Sequence, residues 1–111
     1  MTLGENVRLG KGLLISYDVI ISNETDIADY VLINSRAIVG HDCEVGAFSI
    51  VGVSSFIAGG VSIKEDVTIQ PKASIRQGLS IGKGATIGLG SAVIRNVKPD
   101  TTVFGNPAKY I

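Results

Sequence analysis

The sequence predicts an all-β solenoid of short parallel strands wound into stacked coils, and three observations carry that prediction. From Leu3 to Val93 every sixth residue is Leu, Ile or Val, a run of sixteen without exception. A period of six fits neither a helix face, which repeats near 3.6, nor a lone strand, which alternates at 2. Self-similarity at a fixed short period marks a repeat architecture in which each turn buries its apolar face against the next. The second observation is the position four residues after each aliphatic, which holds small or medium, mostly apolar residues such as Val7, Val31, Ala37, Cys43, Val61 and Ala73. The third is the position three after it, where Asn6, Gly12, Asp18, Asp42, Gly60, Asp66, Gly78, Gly84, Gly90 and Asn96 supply residues that tolerate a left-handed turn.

Each hexad is therefore a short strand with two inward positions, followed by a sharp turn. The position after the aliphatic is often glycine, as at Gly4, Gly10, Gly40, Gly46, Gly52, Gly82 and Gly88. Three hexads close a triangular coil of 18 residues, and sixteen hexads make about five coils. No loop interrupts the ladder. The pattern breaks at Pro99, so residues 1–98 are expected to form the solenoid and residues 99–111 a separate closing tail.

Composition narrows the function classes. The 111 residues carry ten acidic and ten basic side chains, so no field is implied that would attract nucleic acid or an anionic membrane. Three Tyr, three Phe and no Trp give little material for base stacking. The absence of a long apolar run or a leader-like N-terminus makes a cytoplasmic protein the expectation. The single Cys43 excludes an internal disulfide framework and a multi-cysteine zinc site. Cys43 falls at an inward position and is expected in the core.

With an 18-residue coil, residues 18 apart stack about 4.8 Å from one another. The one histidine, His41, lies two residues after an aliphatic, near a turn and facing outward. Its column is Asn23, His41, Gly59, Gln77, Arg95. A glycine above the imidazole leaves an open notch and a backbone N–H without side-chain cover, and Arg95 follows on the order of 14 Å further along. A base, an accessible amide and a distant cation in one line suit a long thioester carrier ending in phosphates. The same residues have plainer explanations: an outward His on a corner is ordinarily a solvated side chain, and Gly59-Gly60 and Asp42 serve turns.

The hexad pattern resembles the [LIV]-G-x4 repeat of the hexapeptide-repeat proteins, whose fold is a left-handed parallel β-helix; that handedness is implied by the resemblance. The segment Asn34-Ser35-Arg36-Ala37-Ile38-Val39-Gly40-His41-Asp42-Cys43-Glu44-Val45-Gly46 is similar to the H-[DE]-C-x-[IV]-G catalytic segment of bacterial sugar acetyltransferases in that superfamily. The nearest group contains the sialic-acid O-acetyltransferases and the bacillosamine-type N-acetyltransferases. The tail Val103-Phe104-Gly105-Asn106-Pro107-Ala108-Lys109 resembles the V-x-G-x-P-A-[KR] signature that closes acyltransferase β-helices.

The resemblance implies acetyl-CoA-dependent transfer of an acetyl group to a hydroxyl or amine of a sugar or nucleotide sugar. It implies His41 as general base, a task for which an imidazole's ordinary titration range is suited, with Asp42 holding its tautomer. The Gly59 N–H would bind the thioester oxygen, and Asn34 matches a position near the acceptor. Coenzyme A would run from Gly59 past Gln77 toward Gly88, Ser91 and Ala92. Asn106, Pro107 and Ala108 would cover it, with Arg95 or Lys109 near phosphate. The family is trimeric with sites between subunits, which makes a homotrimer the expectation, with no metal, nucleic acid or membrane partner.

Two departures stand out. Relatives often carry a second His nine residues after the base, where this chain has Ile50. They also carry an N-terminal Rossmann-like domain for the nucleotide sugar, whereas the ladder here starts at Leu3, so the chain is expected to be a fragment or to hold its acceptor otherwise. The first coil would present an open sheet edge unless something covers it. The rival reading is a non-catalytic β-helical scaffold or trimerisation module. A γ-type carbonic anhydrase shares the fold but needs three His for its zinc, and an ice-binding β-helix needs a flat Thr ladder that is missing.

Overall fold

A computed structural model describes all residues, Met1–Ile111. The first sixteen strands are each two residues long and recur every six residues, from Thr2–Leu3 to Ala92–Val93. They stack into three parallel sheets that form the faces of a prism 35 × 21 × 20 Å in extent. The first face holds Thr2–Leu3, Ile20–Ile21, Ile38–Val39, Phe56–Ile57, Ser74–Ile75 and Ala92–Val93. The second runs from Arg8–Leu9 to Ser80–Ile81, and the third starts at Leu14–Ile15. Register is 18 residues throughout this part, as in Ile38↔Phe56 and Ile57↔Ile75. The left-handed parallel β-helix is thus the fold.

The second residue of each strand points inward. Ile21, Ile33, Ile57, Ile63, Ile69, Ile75, Ile81 and Ile87 are fully buried and lie in one core of 24 residues. Each such side chain withdrawn from water contributes about 1.5–3 kcal/mol, which lets strands of two residues persist. At the N-terminal end the stacking stops, and Leu3 and Leu9 stay 44% and 41% exposed.

Corner backbones follow one rule. Every residue three after an aliphatic, from Asn6 to Gly90, has positive φ, between 54° and 76°. The set includes Glu24, Tyr30, Arg36, Phe48 and Lys72, which the sequence reading did not identify as turn formers. A left-handed residue with a Cβ costs roughly 1–2 kcal/mol, and burial of the flanking aliphatics outweighs that cost.

The structure corrects the coil count: there are six strand levels, not about five. The repeat shortens once, from Val93 to Val97, and then resumes at Val103, so residue 97 pairs with Ile81 and Val103 with Ile87 at an offset of 16. Val97, placed by its spacing at the smaller inward position, takes an aliphatic slot instead. Asn96 accordingly loses the left-handed turn expected there, and Asp100 adopts it at φ 56°. The strand Thr102–Gly105 continues the third face in parallel, then Ala108–Tyr110 returns antiparallel through a cis Asn106–Pro107 bond.

Candidate functional site

His41 sits on the first corner, between the first and second faces. The corner is held from both sides: the Asp42 N–H donates to the Asn23 carbonyl at 2.9 Å, and the His41 carbonyl accepts the Gly60 N–H at 2.8 Å. Gly40 is needed because a Cβ there would press on the backbone of the coil above, 2.7 Å from Gly59 N and 2.9 Å from Ile57 O. His41 and Asp42 are both exposed, and the imidazole Nδ1 lies 2.8 Å from Asp42 Oδ2. Asp42 therefore serves as the left-handed turn residue, at φ 54°, and as the partner of the imidazole.

With Nδ1 engaged, Nε2 is the free nitrogen, and it faces Gly59. A Cβ built on Gly59 would fall 2.5 Å from Nε2 and 2.6 Å from Cε1. The expected open notch is therefore filled by the imidazole itself, which folds up onto the next coil because no side chain opposes it there. The Gly59 N–H has no hydrogen-bond partner in the chain. At the same position of three other hexads a side chain covers the amide: Asn23 Oδ1 accepts from Glu5 N at 2.8 Å, Asp29 Oδ1 from Lys11 N at 2.9 Å and Gln70 Oε1 from Leu89 N at 3.0 Å. A base nitrogen beside an uncommitted backbone donor is the pairing needed to deprotonate a nucleophile and stabilise the oxyanion its attack creates.

Above this corner the first face forms a groove of about 430 Å³ that includes Phe56, Ala58, Ser74, Gln77, Ala92 and Ile94. Val93 and Ile94 also line a more enclosed cleft of about 210 Å³, with Arg95, Pro107, Ala108 and Lys109. Six of the sequence-predicted cofactor residues, Gln77, Ala92, Arg95, Pro107, Ala108 and Lys109, thus line these two adjoining concavities, which share Val93 and Ile94. Tyr110, which the sequence reading missed, closes the cleft's rim; its hydroxyl accepts from Lys98 N at 3.1 Å and donates to the Asn96 carbonyl at 3.4 Å.

Other predicted residues lie apart from these concavities. Asn34 and Gly88 are on the third corner, at the opposite edge of the first face from His41. The Phe104 ring covers Gly88, where an added Cβ would come 2.5 Å from Cδ1. Ser91 is buried and its Oγ accepts the Gly105 N–H at 3.1 Å, tying the tail to the coil below it. Asn106 is exposed in the turn joining the two tail strands. A further concavity of about 660 Å³ lies along the second face among Arg8, Asp26, Glu44, Lys64 and Lys83. Arg8 Nε donates to Asp26 Oδ1 at 2.8 Å there, and this hydrogen bond holds the Asp26 carboxyl below its ordinary range.

Cys43 is buried, as its inward position predicts. Burial pushes its thiol above the ordinary range, which keeps it protonated and disfavours a nucleophilic role. No cluster of three or more His, Cys, Asp or Glu side chains capable of holding a metal ion is present. No helix is long and apolar enough to cross a membrane.

No protein-family model matches the sequence, and no curated protein matches it in a sequence search. Solved structures match closely. PerB from Caulobacter crescentus, determined with CoA and GDP-perosamine, is 34% identical with a TM-score of 0.98, over 99% of this chain and 53% of that one. The acetyltransferase domain of PglB from Neisseria gonorrhoeae, determined with acetyl coenzyme A, is 29% identical with a TM-score of 0.97, over 99% and 54%. WeeI from Acinetobacter baumannii is 28% identical with a TM-score of 0.97, over 99% and 54%. The chain spans about half the length of these relatives. A perosamine N-acetyltransferase variant from C. crescentus matches equally well, at 34% identity and a TM-score of 0.98. By fold, by repeat and by these likenesses, the chain is similar to the hexapeptide-repeat β-helices of bacterial sugar N-acetyltransferases.

Proposed function

We propose that this chain carries the catalytic β-helix of an acetyltransferase that moves the acetyl group of acetyl-CoA to a sugar or nucleotide sugar. Its relatives bind CoA together with GDP-perosamine, or acetyl-CoA, which favours an amine over a hydroxyl as acceptor. The observation that carries the reading is the pairing of His41 Nε2 with the Gly59 corner. Asp42 occupies Nδ1, so that the one nitrogen left lies against Gly59, whose N–H is uncommitted.

In this mechanism His41 Nε2 takes a proton from the acceptor nitrogen as that nitrogen attacks the thioester carbonyl. The Gly59 N–H donates to the oxygen as it becomes an oxyanion. One such donor is typically worth about 3–4 kcal/mol of barrier. Collapse of the tetrahedral intermediate breaks the C–S bond, and the imidazolium returns the proton to the departing CoA thiolate. The charge is transient and the step is direct, so no acyl-cysteine is required.

The pantetheine arm lies in the groove of Gln77 and Ala92, and its nucleotide end reaches the cleft of Arg95, Pro107, Ala108 and Lys109, closed over by the Asn106 turn. Both cations then face phosphate. Asn34, Gly88 and the Ser91 segment lie on the far edge of the face, and they join the site from a neighbouring copy in a homotrimer. Use of acetyl-CoA as donor favours the cytoplasmic location expected from the sequence.

Two measurements test the reading. Acetyl-CoA at about 100 times its Kd should raise stability by about 2.7 kcal/mol. A panel of nucleotide-linked amino sugars should release free CoA thiol with at least one member. No thermal shift at millimolar acetyl-CoA and no thiol release would sink the proposal in favour of a scaffold.

A further inference from the structure

Two polar side chains beneath the His41 corner have no part in the mechanism above: Thr25 and Cys43. They occupy successive positions, 18 residues apart, in an inward column otherwise filled by Val7, Val61 and Leu79. Both are buried, at 0% and 1% exposure.

Six other corners close directly, the N–H three residues along donating to the carbonyl that follows the aliphatic, as in Ala37 N to Asn34 O and Ser91 N to Gly88 O. The corner Gly40–His41–Asp42–Cys43 lacks that bond. The Thr25 hydroxyl stands in the gap, donating to the Gly40 carbonyl at 2.8 Å and accepting the Cys43 N–H at 3.2 Å. One hydroxyl thus ties both ends of the turn that carries the base to the coil below.

Cys43 repeats the device one coil higher. Its Sγ lies 3.1 Å from the Ala58 carbonyl, 15 residues ahead, the same step by which Thr25 reaches Gly40. The Ala58 carbonyl and the Gly59 N–H belong to one peptide unit. A donor on that carbonyl fixes the tilt of the peptide plane and polarises it, which strengthens the N–H at its other end. Ser49 enters the turn between Lys64 and Val67 in the same way, at 3.0 and 3.1 Å. Side-chain insertion is therefore a general way for this fold to open a corner. At the first corner it is used in two consecutive coils, and those two turns carry the base and the free donor.

We infer that Thr25 and Cys43 are positioning residues for acyl transfer: Thr25 sets the corner that presents His41, and the Cys43 thiol aims and polarises the Ala58–Gly59 peptide as oxyanion donor. The inference rests on the roles proposed for His41 and Gly59, and the controls separate the two. If the unmodified chain releases no thiol, or if His41→Ala releases it at the same rate, the underlying mechanism fails.

Given an active chain that needs His41, the test compares paired variants by kcat, by KM for acetyl-CoA and by the 15N resonance of the Gly59 amide. Cys43→Ala should lower kcat about five- to tenfold, the scale of one hydrogen bond, with KM within about twofold. It should also shift the Gly59 resonance, and Cys43→Ser should recover both. Thr25→Val, which keeps the volume and loses the hydroxyl, should lower kcat by a similar factor, and Thr25→Ser should restore it. Folded Cys43→Ala and Thr25→Val variants with unaltered kcat, or an unmoved Gly59 resonance in Cys43→Ala, would overturn the inference. Should Cys43→Ala not fold, Cys43→Val and Cys43→Ser fill the site without and with a donor, and equal kcat in the two would overturn it equally.

Discussion

The imidazole of His41 rests on the Cα of Gly59 one coil above, so closely that a methyl group there would come within 2.5 Å of Nε2. The imidazole and the Gly59 backbone are thus held together by the stacking of two coils, and the absence of one side chain makes the arrangement possible.

Gly59→Ala should therefore separate catalysis from folding. Gly59 is not in the left-handed region, so alanine can adopt its backbone, and its methyl meets a mobile ring tip instead of main chain. The ring must swing away, and a displacement near 1 Å can cost about a hundredfold in rate. We expect kcat to fall by tenfold to about a hundredfold while the thermal midpoint stays put. Gly40→Ala should behave in the opposite way, because its methyl meets the Gly59 and Ile57 backbones. A loss of about 1–3 kcal/mol, read by urea unfolding, is the expected result.

His41→Ala should reduce kcat by about 10²–10⁴, the usual contribution of a positioned general base. Binding of acetyl-CoA, followed by calorimetry, should persist, because the groove and cleft lie on the coils above. A variant that transfers acetyl groups at the original rate would remove His41 from the mechanism.

Asp42→Gly isolates the second role of Asp42. Glycine accepts φ 54° more readily than aspartate, so the turn survives or gains stability. The 2.8 Å contact with Nδ1 is lost, and the imidazole no longer has its tautomer set. A kcat about tenfold lower with an unchanged or higher melting temperature is expected. Unchanged kcat would leave Asp42 as a turn residue only.

The Cys43 thiol gives the protein an alkaline limit. Burial raises its pKa in the folded state above that of the unfolded chain. The folded chain then holds the thiol proton more tightly than the unfolded one. This contribution is fully present below the ordinary thiol pKa of about 8.5 and is progressively lost as pH rises beyond it. Urea midpoints taken from neutral pH to pH 10 should fall more steeply for the native chain than for Cys43→Ser. Parallel slopes would show that the thiol does not couple to folding.

The sequence alone determined the repeat, the 18-residue register, the inward aliphatics and the column that sets Gly59 over His41. These are legible because a short strict period leaves a single way to bury the aliphatic positions, and each remaining residue then takes its place by counting. Tertiary structure decided what counting could not reach. The left-handed turns at Tyr30, Arg36 and Phe48 run against local preference and exist because the flanking core demands them. The four-residue step from Val93 to Val97 adds a sixth level to the stack, since the tail can pair with the third face only after giving up two residues. The insertion of Thr25 and Cys43 into their corners depends on where hydroxyl, thiol and carbonyl meet across two coils. A linear period fixes which residues stack; only packing in three dimensions orients the peptide planes and side chains between them.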